Sequence, residues 1–268
     1  MKFSFMTFSC PELDLESVLE LAQRYGYDGI EPRVSAKHQH GIELDATPEQ
    51  RREIVRKVDA SGIQLSCIAT SCCFADPANA TEHAADARQY VELAADLGAP
   101  CIRVFGGRIG AGVSRDAAIG NMAALLRPLA EYAGKLNVSI CMETHDDWCN
   151  PADVAAVMRA VDHPGMAVNW DIMHPVRTKL ATIDQSFEQL RTWIRHAHVH
   201  DGVVNDGKLS LAPIGQGIVD HKRAVTLLHN AGYDGFLSGE WIGWSDAYPV
   251  HLPREIATLK QYLKEAAG

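Results

Sequence analysis

Residues 138–171, VSICMETHDDWCNPADVAAVMRAVDHPGMAVNWD, contain the pattern that decides the fold. A short apolar run ends at Glu143, an amphipathic stretch begins at Pro151, and a second apolar run ends at Asp171, 28 residues after Glu143. This arrangement is typical of one strand–loop–helix–loop unit in a parallel sheet.

The same unit recurs on both sides of this stretch. The predicted strands are Lys2–Phe8, Gly29–Arg33, Gln64–Ala69, Cys101–Phe105, Val138–Glu143, Ala167–Asp171, His196–His200 and Gly235–Glu240. The predicted helices lie between Asp14 and Gly26, Thr47 and Gly62, Thr81 and Gly98, Ser114 and Leu136, Pro151 and Val161, Val219 and Ala231, and Pro253 and Ala267. Eight strands alternating with helices predict an α/β fold, a single (β/α)8 TIM barrel. The chain has no Ser/Gly linker, charge block or shift in composition, so we expect residues 1–268 to form one domain.

Composition places the chain among ordinary globular proteins, with 47% hydrophobic and 22% charged residues. A formal net charge of −9 argues against a nucleic-acid partner, because phosphate binding relies on surfaces rich in Lys and Arg. No apolar run approaches the about 18 residues that a membrane span needs. The seven cysteines include no C-x-x-C pair, and the first ten residues are interpreted as a strand and not as a signal peptide. We therefore expect a cytoplasmic protein without a membrane partner.

Metal-type side chains stand at the ends of the last four predicted strands: Glu143, Asp171, His198 and Glu240. Because the carboxyl ends of parallel barrel strands meet at one rim, we expect a divalent-cation site there. Three carboxylates and one imidazole favour Mn²⁺, with Mg²⁺, Co²⁺ or Zn²⁺ as alternatives. The site would keep about one negative charge, which favours a neutral polyol over a phosphate at the metal. Such a cation stabilises the enediolate formed when a proton leaves carbon next to a carbonyl, and carboxylate ligands can take and return that proton.

Three histidines are candidates for substrate contacts. His145 lies two residues after the first predicted ligand and His174 three after the second, although a loop hydrogen bond is an alternative for His174. His200 shares one strand face with His196 and His198, and we predict that it also contacts substrate. His196 is interpreted as an interior histidine.

Two further charged residues have two interpretations each. Arg103, in the fourth strand, either binds substrate or balances the rim carboxylates. Glu31, in the second strand, either contacts substrate or pairs with Arg33 on the same strand face.

Motifs along the whole chain resemble the sugar phosphate isomerase/epimerase family, the xylose isomerase-like TIM barrels. The motifs are SFMTFS at 4–9, GYDGIEPR at 26–33, CIRVFGG at 101–107, METH at 142–145, NWDIMH at 169–174, HAHVHD at 196–201 and GYDGFLSGEW at 232–241. The resemblance implies a rim cation held by the four residues above, with Glu143 and Glu240 as the catalytic acid/base pair. It also implies His198 and not His196 as the ligand, because the H-x-H-x-x-D pattern of the family aligns with His198 and Asp201.

The chain departs from the pattern of ketose 3-epimerases at two positions. Cys149 stands where they have a second glutamate, and Val204 where they have an arginine. The expected function is therefore the broader one of a metal-dependent isomerase or epimerase of a small sugar or polyol. Alternatives are a lyase that dehydrates a keto-inositol or keto-sugar, a barrel related to abasic-site endonucleases, which the negative charge disfavours, and a non-catalytic sugar-binding barrel. Family members often form dimers or tetramers, so a homo-oligomer is a further expectation.

Overall fold

Parallel strands form the frame of the protein in the computed structural model, which describes residues 1–205 and 208–268. The strands are β1 Lys2–Met6, β2 Gly29–Glu31, β3 Gln64–Leu65, β4 Ile68–Cys73, β5 Cys101–Phe105, β6 Ser139–Glu143, β7 Met166–Asp171, β8 Ile194–Val199, β9 Asp201–Asn205, β10 Lys208–Ala212 and β11 Phe236–Gly239. Strands β6 and β7 are buried over nearly their whole length, as expected of parallel strands that helices cover.

Nine of the strands pair in the order β3-β2-β1-β11-β8-β7-β6-β5-β4, and β9 and β10 form a separate antiparallel hairpin. Strands β3 and β4 follow each other in sequence and together occupy the third position of a barrel. A parallel bridge between Arg33 and Ala69 links the end of β2 to β4, so the two edges of the sheet meet. This architecture confirms the predicted TIM barrel.

Helices alternate with the barrel strands. They are α1 Leu15–Tyr25, α2 Pro48–Ser61, α3 Ala80–Leu97, α4 Arg115–Lys135, α5 Pro151–Val161, α6 Met173–Arg177, α7 Ile183–Leu190, α8 His221–Asn230 and α9 Tyr248–Ala267. Local sequence explains the boundaries of the first two. The Asp14 carboxylate accepts from the Ser17 amide, and Thr47 and Gln50 form a reciprocal capping box before Pro48. Gly26 ends α1 in the left-handed conformation, at φ 76°.

Several predicted boundaries differ from the observed ones. The first strand ends at Met6, because Thr7–Ser9 form a 3₁₀ turn, and the second ends at Glu31, directly before Pro32. The last helix begins at Tyr248, with Pro253 inside it. Helices α6 and α7 and the hairpin β9–β10 were not predicted. All of these differences lie at strand ends or outside the barrel frame.

Small side chains fill one layer of the barrel interior. Cys67, Cys101, Cys141 and Ala167 form a buried cluster, and all seven cysteines of the chain are free thiols. Burial raises the pKa of Cys67 to about 12.

In the described ranges, no helix is both long and apolar enough to cross a membrane.

Candidate metal centre

Four side chains from adjacent strands converge at the carboxyl-terminal rim of the barrel. Glu143 and Asp171 are the last residues of β6 and β7, His198 is next to last in β8, and Glu240 directly follows β11. Gly239 allows this placement, because a Cβ at that position would collide with the indole of Trp241. We call Glu143, Asp171, His198 and Glu240 the cation cluster.

The cation cluster is compact and buried. Its four potential ligand atoms lie within 4.8 Å of one another. His198 Nδ1 is 3.6 Å from Glu143 Oε1 and 3.5 Å from Glu240 Oε2. Glu143, Asp171 and His198 are fully buried, and Glu240 is 5% exposed. Three carboxylates held this close together around one imidazole in a dry interior need a compensating positive charge.

Glu31 and His196 lie beneath the cation cluster and orient it. Glu31 accepts from His198 Nε2 at 3.1 Å and from His196 Nε2 at 2.8 Å, and it is fully buried. A proton held at Nε2 leaves the Nδ1 lone pair of His198 free to face Glu143 and Glu240, an arrangement that metal-ligating histidines commonly show. Both Glu31 oxygens are thus occupied by histidines, so we propose a supporting role for Glu31 in place of the predicted substrate contact.

Arg103 supplies a buried positive charge next to the cation cluster. Its Nε lies 3.1 Å from Glu143 Oε2, its Nη1 donates to the Thr70 carbonyl, and the residue is 1% exposed. Burial by itself would lower the pKa of Arg103, but Glu143, Glu240 and Glu31 raise it above its ordinary value. Of the two interpretations, this geometry favours charge balance over substrate binding. Arg33, the other predicted partner of Glu31, instead donates to the Ala69 carbonyl at 3.1 Å.

Buried polar atoms that accept no hydrogen bond indicate that a cation fits here. Both Glu143 oxygens are buried, and among the described residues neither accepts a hydrogen bond, although Arg103 Nε forms an ion pair with Oε2 at 3.1 Å. One Asp171 oxygen accepts from the amides of Met173 and His174, and the other accepts from His200 Nε2 at 2.9 Å. Oxygen donors with one nitrogen suit a hard or borderline divalent ion.

The protonation of the metal-free cation cluster follows from its charges. Burial by itself would lower the pKa of His198, but Glu31, Glu143 and Glu240 raise it well above its ordinary value. Burial raises the pKa of Asp171 and of Glu240, but histidines beside them outweigh this effect, so both pKa values are lowered. Without a cation, the imidazole therefore holds a proton between ionised carboxylates, and a cation at Nδ1 displaces it.

Three histidines lie next to the cation cluster, and we call His145, His174 and His200 the histidine wall. The side chain of His145 is 33% exposed, and those of His174 and His200 are 8% exposed. The ring centres of His145 and His174 are 4.3 Å apart, and those of His174 and His200 are 5.7 Å apart. The side chain of Asp146, 3.1 Å from His145 Nδ1, helps to raise the pKa of His145 to about 9 against the opposing effect of burial.

Several surface grooves lie away from this site. One is lined by Lys2, Gln64, Pro100 and Phe236, at the opposite, amino-terminal end of the strands. It contains none of the residues of the cation cluster or histidine wall.

The structure brings together all four residues that were predicted as ligands. It places the three histidines predicted to contact substrate next to them. Sequence reasoning did not assign a site role to Asn169 or to Arg177, whose Nη2 lies 3.2 Å from His174 Nδ1. Asn169 Nδ2 lies 3.1 and 3.2 Å from the two ring nitrogens of His198. Its position two residues before Asp171, on the same strand face, was an available signal. At the two departures from the ketose 3-epimerase pattern, Cys149 is buried and Val204 is 42% exposed on β9.

Comparisons with known proteins agree with the fold. The model of the xylose isomerase-like TIM barrel family matches residues 19–266. A 3-dehydroshikimate dehydratase of Bacillus anthracis is 22% identical over 91% of this chain and 91% of its own length. The L-ribulose-5-phosphate 3-epimerase UlaE of Escherichia coli O157:H7 is 24% identical over 81% of this chain and 78% of its own length. A xylose isomerase-like TIM barrel protein of Mycobacterium smegmatis, solved in complex with magnesium, superposes with a TM-score of 0.77 at 18% identity and covers 100% of this chain and 98% of its own.

Proposed function

Because the chain belongs to the xylose isomerase-like TIM barrel family, we propose that it is a divalent-metal-dependent isomerase or epimerase of a small sugar or polyol. The observation that carries the proposal is the cation cluster, with four ligand atoms within 4.8 Å of one another on one barrel rim. The relatives are named enzymes that act on small polyhydroxylated molecules, which supports this class of substrate.

Glu143, Asp171, His198 and Glu240 would hold the cation, for which Mn²⁺ remains our preferred identity. When bound, the ion supplies a positive charge that stabilises an oxyanion on the substrate. The buried oxygens of Glu143, which accept no hydrogen bond among the described residues, and the mixed oxygen and nitrogen donors support this assignment.

The protein residues would divide the remaining work. Glu143 and Glu240 contact His198 Nδ1 from two other strands, so either carboxylate can remove a proton from a carbon held between them and return it. The buried Arg103 limits the repulsion between these carboxylates. The histidine wall is positioned to hold substrate hydroxyl groups and to limit the entry of water.

Hydrogen exchange with solvent tests this function directly. The protein is incubated with Mn²⁺ and a panel of ketoses and aldoses in D₂O, and deuterium at the carbon next to the carbonyl is measured by NMR. We expect incorporation into one sugar and its epimer or isomer, and loss of incorporation in Glu240→Gln under conditions where metal analysis shows a bound ion. Exchange that persists in metal-loaded Glu240→Gln would exclude Glu240 as an essential proton carrier.

A lyase is the second candidate, and the dehydratase from Bacillus anthracis favours it because the match extends over 91% of both chains. Dehydration begins with removal of a similar proton next to a carbonyl, but a hydroxyl group on the neighbouring carbon then leaves as water. The same incubation separates the two candidates. An epimerase or isomerase returns a deuterated sugar of unchanged composition, whereas a lyase yields a product that has lost one water.

A further inference from the structure

Arg177 contacts a histidine of the wall from the side opposite the cation cluster. Arg177 and His174 lie three residues apart on α6, and Arg177 Nη2 is 3.2 Å from His174 Nδ1. The other ring nitrogen, His174 Nε2, points toward the cluster and lies 3.7 Å from Asp171 Oδ2. The imidazole therefore lies between a guanidinium and a carboxylate.

Hydrogen-bond chemistry fixes the proton on this ring. A guanidinium only donates, so His174 Nδ1 must accept with its lone pair. A neutral imidazole that accepts at Nδ1 carries its proton at Nε2, and a doubly protonated ring would direct an N–H at the guanidinium. The Arg177 contact is thus compatible with one form of His174, in which Nε2–H faces the cation cluster.

The backbone around α6 holds this pair in place. The amides of Met173 and His174 donate to Asp171 Oδ1 at 2.9 and 3.1 Å, and Thr178 Oγ1 donates to the His174 carbonyl at 2.8 Å. These contacts connect His174 to a predicted ligand on one side and to the end of α6 on the other. They hold the backbone of His174 in place, and Arg177 contacts the ring directly at Nδ1.

The same neighbourhood contains side chains that could hold a second cation. Asp171, His174 and His200 have ligand atoms within 4.8 Å of one another, and so do Glu143, His145 and His174. Both groups include His174 and adjoin the cation cluster. A cation at His174 Nε2 needs the lone pair of that nitrogen, and the proton would then have to move to Nδ1, against the Arg177 donor.

We propose that Arg177 is a positioning residue that keeps His174 as an Nε2–H hydrogen-bond donor and thereby restricts the site to one cation. The donor role toward a substrate oxyanion rests on the proposed function, whereas the restriction to one cation does not. The Arg177 contact prevents His174 from acting as a metal ligand or as a base, and directs its proton at the oxygen on which negative charge develops.

The experiment compares wild type, Arg177→Lys and Arg177→Met, with Arg191→Met as the control. Arg191 is a surface residue with a 52% exposed side chain, and its Nε lies 3.3 Å from Glu188 Oε1. The Arg191→Met variant therefore removes the same chemical group at a distance from the site. The ring nitrogens of His174 are observed by long-range ¹H–¹⁵N NMR of the Mg²⁺-loaded proteins and assigned with His174→Asn. Bound Co²⁺ per chain is counted by titration of the metal-free proteins.

We expect an unprotonated Nδ1 and a protonated Nε2 in wild type and in Arg177→Lys, which keeps a donor. We expect one Co²⁺ in wild type, Arg177→Lys and Arg191→Met, and two in Arg177→Met. With an active substrate, kcat of Arg177→Met should fall about tenfold, the size of one hydrogen bond to a charged group, with KM little changed.

A proton at Nδ1 of wild-type His174, two ions in wild type, or one ion in Arg177→Met would each overturn the inference. The NMR and Co²⁺ measurements need no turnover. If no sugar reacts but both give the expected results, the proposed function fails and the restriction to one cation stands.

Discussion

Replacement of Glu31 by glutamine tests whether a buried carboxylate beneath the cation cluster controls metal binding. Glu31 is fully buried, and its two oxygens accept from His198 at 3.1 Å and from His196 at 2.8 Å. Glutamine keeps the volume but offers one acceptor, and its amide group would direct N–H bonds at one of two imidazole donors. His198 then loses the negative charge that holds its proton at Nε2, and with it the orientation of Nδ1 toward the cluster.

The expected loss of metal affinity follows from the effect of carboxylates that accept a hydrogen bond from a metal-ligating histidine. Removal of a carboxylate behind a ligating histidine costs about 10–100-fold in metal affinity, which corresponds to about 1.4–2.7 kcal/mol. We expect Glu31→Gln near the upper end, because Glu31 is fully buried and water cannot replace its lost charge. Isothermal titration of the metal-free protein with Co²⁺ and with Mn²⁺ measures the change.

Glu255→Gln is the matched control. Glu255 is also fully buried, but it lies on α9 and accepts from the Ile214 amide at 2.7 Å. A general loss of stability would affect both variants, and urea unfolding of each protein measures it. Wild-type metal affinity, within about twofold, in a folded Glu31→Gln protein would refute the orienting role.

Three further predictions concern the cluster and the loop beside it. Glu143→Ala should lower Co²⁺ affinity by at least about 100-fold and His196→Ala by less than about tenfold, since only the first loses a predicted ligand; equal losses in the titration would contradict the assignment. Three neighbouring carboxylates raise the pKa of His198 well above its ordinary value, so below that folded-state pKa each Co²⁺ bound should release one proton. The Co²⁺ affinity should then rise about tenfold per pH unit up to that pKa. Calorimetry in buffers of different ionisation enthalpy measures the protons released, and an absence of proton release would contradict this prediction. Asp201 accepts from four backbone amides at 2.9–3.2 Å, so Asp201→Asn should lower the free energy of unfolding in urea by about 2–4 kcal/mol, unlike Asp184→Asn at the surface.

Much of the candidate site was predictable because its four proposed ligands lie at the carboxyl-terminal ends of strands. Each step along the chain from Glu143 to Asp171, to His198 and to Glu240 spans one whole strand–helix unit. In a closed parallel barrel, residues separated in this way lie on neighbouring strands at the same rim. The TIM barrel, which the structure confirms, was predictable as well, because the local sequence pattern shows the alternation of strands and helices. These inferences need only periodicity and topology.

Contacts across the barrel were not predictable in the same way. Glu31 on β2 reaches His196 and His198 on β8, a pairing that depends on strand tilt and stagger and not on distance along the chain. Helix α7 is only eight residues long, a length at which periodicity is weak. The hairpin β9–β10 did have a signal, the Asp206-Gly207 pair between apolar stretches, although these two residues lie outside the described ranges.

The buried charges of the site indicate which charge a substrate group next to the cation cluster should carry. The site contains four buried carboxylates, Glu31, Glu143, Asp171 and Glu240, and one buried guanidinium, that of Arg103. Arg103 offsets the charge of Glu31, so the estimate from the ligands alone still applies, and a divalent cation leaves about one negative charge. We therefore expect that a phosphate pressed against the cation cluster would be repelled, and that a phosphorylated substrate would place that group beyond the histidine wall. An epimerase and a dehydratase both begin by removing a proton next to a carbonyl, so for either proposed reaction we expect the charge of the cation cluster to favour a substrate with a neutral hydroxy-carbonyl end.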